Sequence, residues 1–410
     1  MIGPYRPSSL LLINTVIGTC VGAATIMGTM ENILNVGIHA VWPIFFISVP
    51  ILFLFIFPPS FPLLKKYKTV GGAFGGVYNK KVSLLFSVSW LAFCIGILVV
   101  QNMALCRLFS TMTGLSFSQS LFILWPLVFF YTTYGGIEAV IKTDYLQTLI
   151  IYLFLIVFLL TLWPSSGGNS FFDLSFQGNL PPLFTKERFI FSFDLMVGPL
   201  FSPPIIQRYL LSGSEKKGRR VMLGGSFGIL VLILLNILVG SFLSSLAHEK
   251  NLSFSSVFHL LEQLDYSPLF MDFFLVMLLS AILSSIDSLL NSCEETLIND
   301  LQDFKIQKIG IYLLGITVMI LTYFSGDSLW SALTLPYKYW AAVWTVPMGF
   351  LLLSKKKKIP TDLLFLTQLI SFVVGVMFFS WVGVIVSFFL FTFFYFFSNL
   401  QKKNRSSLQF

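Results

Sequence analysis

The sequence predicts an all-α polytopic membrane protein, and three observations carry that prediction. Of its 410 residues, 56% are hydrophobic, 11% are charged and 46 are Phe, a composition that excludes an ordinary water-soluble domain. Apolar runs near the roughly 20 residues needed to cross a bilayer recur from Ser8 to Leu400. The segments between them are too short for a soluble domain, so 1–400 reads as one transmembrane domain followed by a cytoplasmic tail at 401–410.

Spans are expected at 8–29, 38–58, 82–110, 117–135, 143–163, 188–210, 221–245, 267–297, 306–325, 329–353, 361–379 and 381–399. The last two share one apolar stretch too long for a single span, which folds into a hairpin near Ser380 and Gly383. The first run carries Asn14, Thr15, Thr19 and Thr25 and has no charged region beyond Arg6, so it is expected to be retained and not cleaved as a signal peptide. The loop from His248 to Ser267 is expected to hold a short surface helix.

Placing both termini in the cytoplasm gathers most of the basic residues on that side, Arg208 and the run Lys355 to Lys358 among them. Of the 26, it leaves Arg107, Lys186, Arg188, Lys250 and Lys338 elsewhere. The net charge of +8 is therefore a topology signal, not the footprint of a nucleic-acid partner. Cys20, Cys94, Cys106 and Cys293 lie in or beside apolar runs without a CxxC spacing, which indicates neither a disulfide framework nor a zinc site.

A charged residue at mid-span costs about 2.5–3.5 kcal/mol, so polar clusters inside the spans mark the places where function sits. The first cluster is Ile17-Gly18-Thr19-Cys20-Val21-Gly22-Ala23-Ala24-Thr25, whose two glycines permit unwinding and would turn carbonyls toward a cavity. A small-residue packing face is the alternative reading of the same segment. The second runs from Tyr131 through Gly135, Gly136, Thr143 and Asp144 to Gln147, where Asp144 could cap a helix or face a cation. In the third, Ser284, Asp287, Ser288 and Asn291 recur at helical spacing and are expected to present oxygen ligands on one face, as a hard cation such as sodium requires. The fourth is Gly198-Pro199-Leu200-Phe201-Ser202-Pro203-Pro204, whose prolines must break the sixth span. Broken spans one and six in equivalent places of two five-helix halves point to an inverted-repeat transporter with its site at the midplane.

The second and third clusters resemble those of the sodium:solute symporters. Tyr134-Gly135-Gly136 through Ala139-Val140, Thr143-Asp144 and Gln147 is similar to that family's most specific pattern, and Ala281 to Ser292 to its cation-binding helix. Gln207-Arg208-Tyr209-Leu210 resembles the exit of its sixth helix, and the likeness extends over roughly 5–353. It implies the leucine-transporter-type fold, with inverted repeats at 8–163 and 188–353, an extra hairpin at 361–399 and alternating access around a central site. It also implies a principal sodium site made of the carbonyls of Gly18, Val21 and Ala281 and the hydroxyls of Ser284 and Ser285. A second cation, or a proton, would lie near Asp144, Asp287 and Ser288. The chain departs from the family in starting where the core starts, in Phe201-Ser202-Pro203 where Gly-Gln-Pro is usual, and in the carboxylate at Asp287.

Substrate contacts are expected from polar or aromatic residues at the right depth, namely Cys20, Thr25, Gln101, Phe201, Tyr337, Lys338 and Trp340. The expected function is sodium-coupled symport of a small organic solute, with proline or another amino acid foremost, in the inner membrane of a bacterium. A proton-coupled symporter or a transport-inactive sensor of the same fold are the alternatives; the short tail, without an output domain, favours a carrier. His39, His248 and His259 are scattered near loops, which argues against a membrane enzyme.

Overall fold

The computed structural model describes residues 7–37, 42–165, 186–250, 252, 257–301, 307–325, 329–353, 359–378 and 380–407. Among them the chain forms sixteen α-helices and no strand. The first expected span is two helices, α1 (Ser9–Cys20) and α2 (Ala23–Val36), bent by 50° across extended backbone at Val21 and Gly22. The second comprises a 3-10 helix (Trp42–Ile47) and α3 (Val49–Ile56), then turns sharply into the short helices α4 (Phe61–Tyr67) and α5 (Val70–Val77). The long helix α6 (Lys80–Thr113) starts with Asn79, whose side chain accepts from the Val82 N–H, and stops at Gly114 in the left-handed region.

The expected spans at 117–135 and 143–163 form one element, α7 (Phe117–Ser165), two helices joined at Gly136 (φ 60°, ψ −178°). The intervening loop expected from the sequence is absent because Gly136 makes the whole break. That conformation is open to glycine almost alone, whereas nothing lies within 4 Å of where its Cβ would stand, so the constraint is in the backbone and not in packing. Asp144 is consequently interior to a helix and caps none.

The sixth span is broken as the prolines require, into α8 (Lys186–Val197) and α9 (Pro203–Leu211). Pro203 and Pro204 occupy the first turn of α9, where their missing N–H groups forfeit no hydrogen bond. The remaining helices are α10 (Glu215–Glu249), α11 (Val257–Gln263) in the loop expected to hold a surface helix, α12 (Pro268–Asn299), α13 (Gln307–Phe324), α14 (Leu329–Leu353), α15 (Thr361–Met377) and α16 (Ser380–Ser407). α1 packs on α7, α10 and α12, and α6 packs on α12 and α14; α15 and α16 pair with each other against α14. α1, α2 and α9 each meet α12, and α2 also meets α6.

At the end of α12, Asp300 fastens α5. Its carboxylate accepts from Thr69 Oγ1 at 2.5 Å and Ser87 Oγ at 3.1 Å, while the Thr69 hydroxyl also accepts from the Gly72 N–H at 2.8 Å as the cap of α5. Burial pushes the Asp300 carboxyl from 3.8 up to about 6, against the pull of these donors. The folded state therefore holds the proton more tightly than the unfolded chain. Its contribution to stability is complete below about pH 4 and is lost as pH rises through about 6, a change of order 3 kcal/mol. The thermal midpoint of the detergent-solubilised protein is expected to fall between pH 4 and 6. Asp300→Asn should lessen that slope; a variant that keeps the wild-type pH profile would place its origin elsewhere.

Candidate functional site

The break between α1 and α2 leaves the carbonyls at the end of α1 facing α12. Ser285 Oγ on α12 lies 3.5 Å from the Gly18 carbonyl oxygen, and a Cβ on Gly18 would overlap Ser284 Oγ, so a glycine is what lets the two helices touch. Val21 and Ala281 are fully buried in the same joint. The structure thus brings Gly18, Ser284 and Ser285 into one place, where carbonyl and hydroxyl oxygens converge.

Directly beneath, Asp144 reaches from α7 into the same joint. It accepts from Thr15 Oγ1 on α1 and from Ser284 Oγ at 2.5 Å, with Ser288 Oγ at 3.5 Å. Its charge is met by Arg208 of α9, 4.0 Å away, both side chains being 0% exposed. The guanidinium is held by Ser288 Oγ at 2.9 Å, Gln207 Oε1 at 2.6 Å and the Pro204 carbonyl at 3.3 Å. Arg208 is therefore no cytoplasmic topology charge, as the sequence suggested, but a buried counter-charge, since an unpaired carboxylate at this depth is too costly. A second cation at Asp144 would share the carboxylate with it.

Asp287 does not join this cluster. Successive helical residues are about 100° apart, so the side chains of Asp287 and Ser288 leave α12 in different directions. Asp287 turns to the first half of α7, where it accepts from Tyr131 Oη and, at 2.6 Å, from Thr132 Oγ1. Asn291 reaches Gln207 Oε1 at 3.5 Å instead. The single oxygen-bearing face expected on the eighth span is thus divided between two partners.

Next to the helix break lies a cavity lined by both broken helices and by α6 and α12. Cys20, Thr25, Gln101 and Ser285 line it, together with Ser202 at the head of α9. Trp90 and Phe93, stacked with centroids 5.1 Å apart, form an aromatic wall that the sequence reading missed. Their signal was available, because 90, 93, 97 and 101 fall at helical spacing with Gln101. Trp340 stands behind the wall, 5.0 Å from Trp90 and 5.3 Å from Phe93, and does not line the cavity. Phe201, with φ 62°, turns away to pack edge-on against Phe53 at 6.1 Å. The side chains of Tyr337 and Lys338 lie outside the described residues.

Comparison with known proteins gives the chain its family and its fold. The family model of the sodium:solute symporter family matches residues 9–323. The chain belongs to that family. The high-affinity proline transporter PutP of Bacillus subtilis (strain 168) is 25% identical over 203 residues, which make up 47% of this chain and 43% of PutP. The match thus spans less than half of that relative's length. Among solved structures, a substrate-bound, outward-open Na+-coupled sialic acid symporter superposes with a TM-score of 0.76 at 16% identity, covering 95% of this chain and 90% of the other. MhsT in complex with L-phenylalanine superposes with a TM-score of 0.60 at 14% identity, covering 93% and 98%. These likenesses show the leucine-transporter-type fold for this family member. The family and its structural neighbours are transporters and not enzymes, and the chain is an integral membrane protein.

Proposed function

We propose that the protein is a sodium-coupled symporter of a small amino acid, with proline the leading candidate, working by alternating access in a bacterial plasma membrane. The observation that carries this reading is the contact between Ser285 on α12 and the Gly18 carbonyl at the end of the broken α1, next to the cavity. Sodium held by the carbonyls of Gly18, Val21 and Ala281 and the hydroxyls of Ser284 and Ser285 would tie α1 to α12. Because the same break walls the cavity, tying it favours the state that receives solute, and solute binding favours the ion in return. Segments 8–163 and 188–353 act as the two repeats, and each contributes one broken helix.

The amino-acid assignment rests on two supports besides the relation to PutP. α2 opens at Gly22 with no side-chain cap, so its first N–H groups and the helix dipole face the break and favour a carboxylate. The cavity pairs that polar end with the Trp90 and Phe93 wall, which suits an apolar side chain or ring. Thermal-shift measurements on the detergent-purified protein, scanning sodium, lithium, potassium and pH against amino acids, sugars and organic acids, test the whole reading. The expected result is stabilisation by an amino acid in sodium and not in potassium. Stabilisation driven by pH alone would replace sodium by the proton.

A further inference from the structure

We infer that Gln101 is the residue that makes this transporter demand an N–H donor on its solute, reading the amine of an amino acid through its carboxamide oxygen. The inference rests on the amino-acid reading above and gives that site its selecting group.

Gln101 sits on α6 and is 5% exposed, yet its Oε1 has no hydrogen-bond partner among the described residues. An unsatisfied buried acceptor costs about 1–3 kcal/mol, so such a group in a native fold calls for an explanation. Its place supplies one. A Cβ on Gly22 would stand 2.7 Å from Gln101 Nε2, 3.2 Å from Oε1 and 2.8 Å from Ser285 Oγ. The absence of a side chain at Gly22 is what admits the carboxamide to the helix break, beside the uncapped start of α2. An acceptor for an ammonium group and a helix end that favours a carboxylate are therefore adjacent. The two charged groups of an α-amino acid are adjacent in the same way.

The rest of α6 fixes the orientation. Ile97 lies one turn before Gln101 and Phe93 two turns before, so the apolar surface begins about 6 Å along the helix from the amide. An amino acid with its amine at the Gln101 amide would thus turn its hydrocarbon toward Ile97 and Phe93. A sugar would bring hydroxyls against Ile97 and Phe93, where the wall offers them no partner. The demand is thus for one donor at one end and hydrocarbon at the other.

Hydrogen bonds to charged groups are strong enough that losing this one should cost about tenfold or more in affinity. The test uses the full-length protein in sodium, with L-proline, its N,N-dimethyl betaine and glucose as probes. The betaine keeps ring, carboxylate and net charge but has no N–H. Wild type is expected to bind proline at least about tenfold more tightly than the betaine, and glucose not at all. Gln101→Leu should bring the ratio of proline to betaine close to one while the sodium concentration that stabilises the empty protein stays unchanged. Gln101→Glu, which keeps an acceptor, should retain the preference. Equal binding of proline and betaine by wild type, stabilisation by glucose, or an unchanged ratio in Gln101→Leu would each overturn the assignment. So would failure of both zwitterions to bind while sodium still stabilises, and the symporter reading would survive that result. Loss of the sodium response as well would remove the reading underneath. Should Gln101→Leu not fold, the wild-type ratio and Gln101→Glu still decide the matter.

Discussion

Replacing Arg208 with Gln is expected to destabilise the protein by about 3–5 kcal/mol, because it strands the buried Asp144 carboxylate among hydroxyls with no opposing charge. Restoring neutrality with Asp144→Asn in the same chain should recover much of the loss, since the pair is then removed together. The readout is the melting midpoint in detergent for the two single variants and the double variant, assembled as a cycle. A single variant as stable as wild type, or a double variant no better than Arg208→Gln, would show that the guanidinium is not the counter-charge. The prediction separates Arg208 from the other basic residues near helix ends. Lys65 and Lys66 in the last turn of α4 are exposed, and their removal should move the midpoint little.

Ser285→Ala is expected to lower apparent sodium affinity by about tenfold or more while leaving membrane insertion and sodium-free stability nearly unchanged. The two effects separate because the Ser285 hydroxyl makes a single long hydrogen bond, to the Gly18 carbonyl at 3.5 Å, so little of the fold depends on it. As a ligand it would be one of the few oxygens replacing the ion's water shell. Ser284→Ala should behave differently. It removes a 2.5 Å hydrogen bond to Asp144 and so should cost stability as well as ion affinity. Titrating sodium in uptake assays and in melting experiments on both variants distinguishes the roles. Wild-type sodium dependence in Ser285→Ala would end its assignment as a ligand.

Much of the fold was legible because the bilayer imposes a length rule on every span, and the breaks in spans one and six were legible because glycine pairs and prolines act locally. The joint in α7 was misread as a loop: one glycine backbone conformation replaces seven residues of connection, and no composition signal distinguishes the two. At the site, Gly18, Ser284, Ser285 and Asp144 could be named from the resemblance. Arg208 could not be separated from the neighbouring topology charges, because its burial depends on α7 arriving from elsewhere in the chain. Asp287 was grouped with Ser288 on one broad helix face, but the roughly 100° between neighbours is enough for each to meet a different part of the fold. Phe201 illustrates the reverse limit. Its depth was right, but a positive φ turned the ring away from the cavity.

The kink at Gly136 has open space where a side chain would stand, and α12 braces it from both arms. Tyr131 and Thr132 on one arm hold Asp287, and Asp144 on the other holds Ser284, so the two arms of α7 and the strut of α12 close a triangle. A triangle keeps its angles unless a side gives way. The hinge is thereby braced by hydrogen bonds several residues from its pivot, and bending the elbow of α7 against α12 strains the grip of one of those two carboxylates.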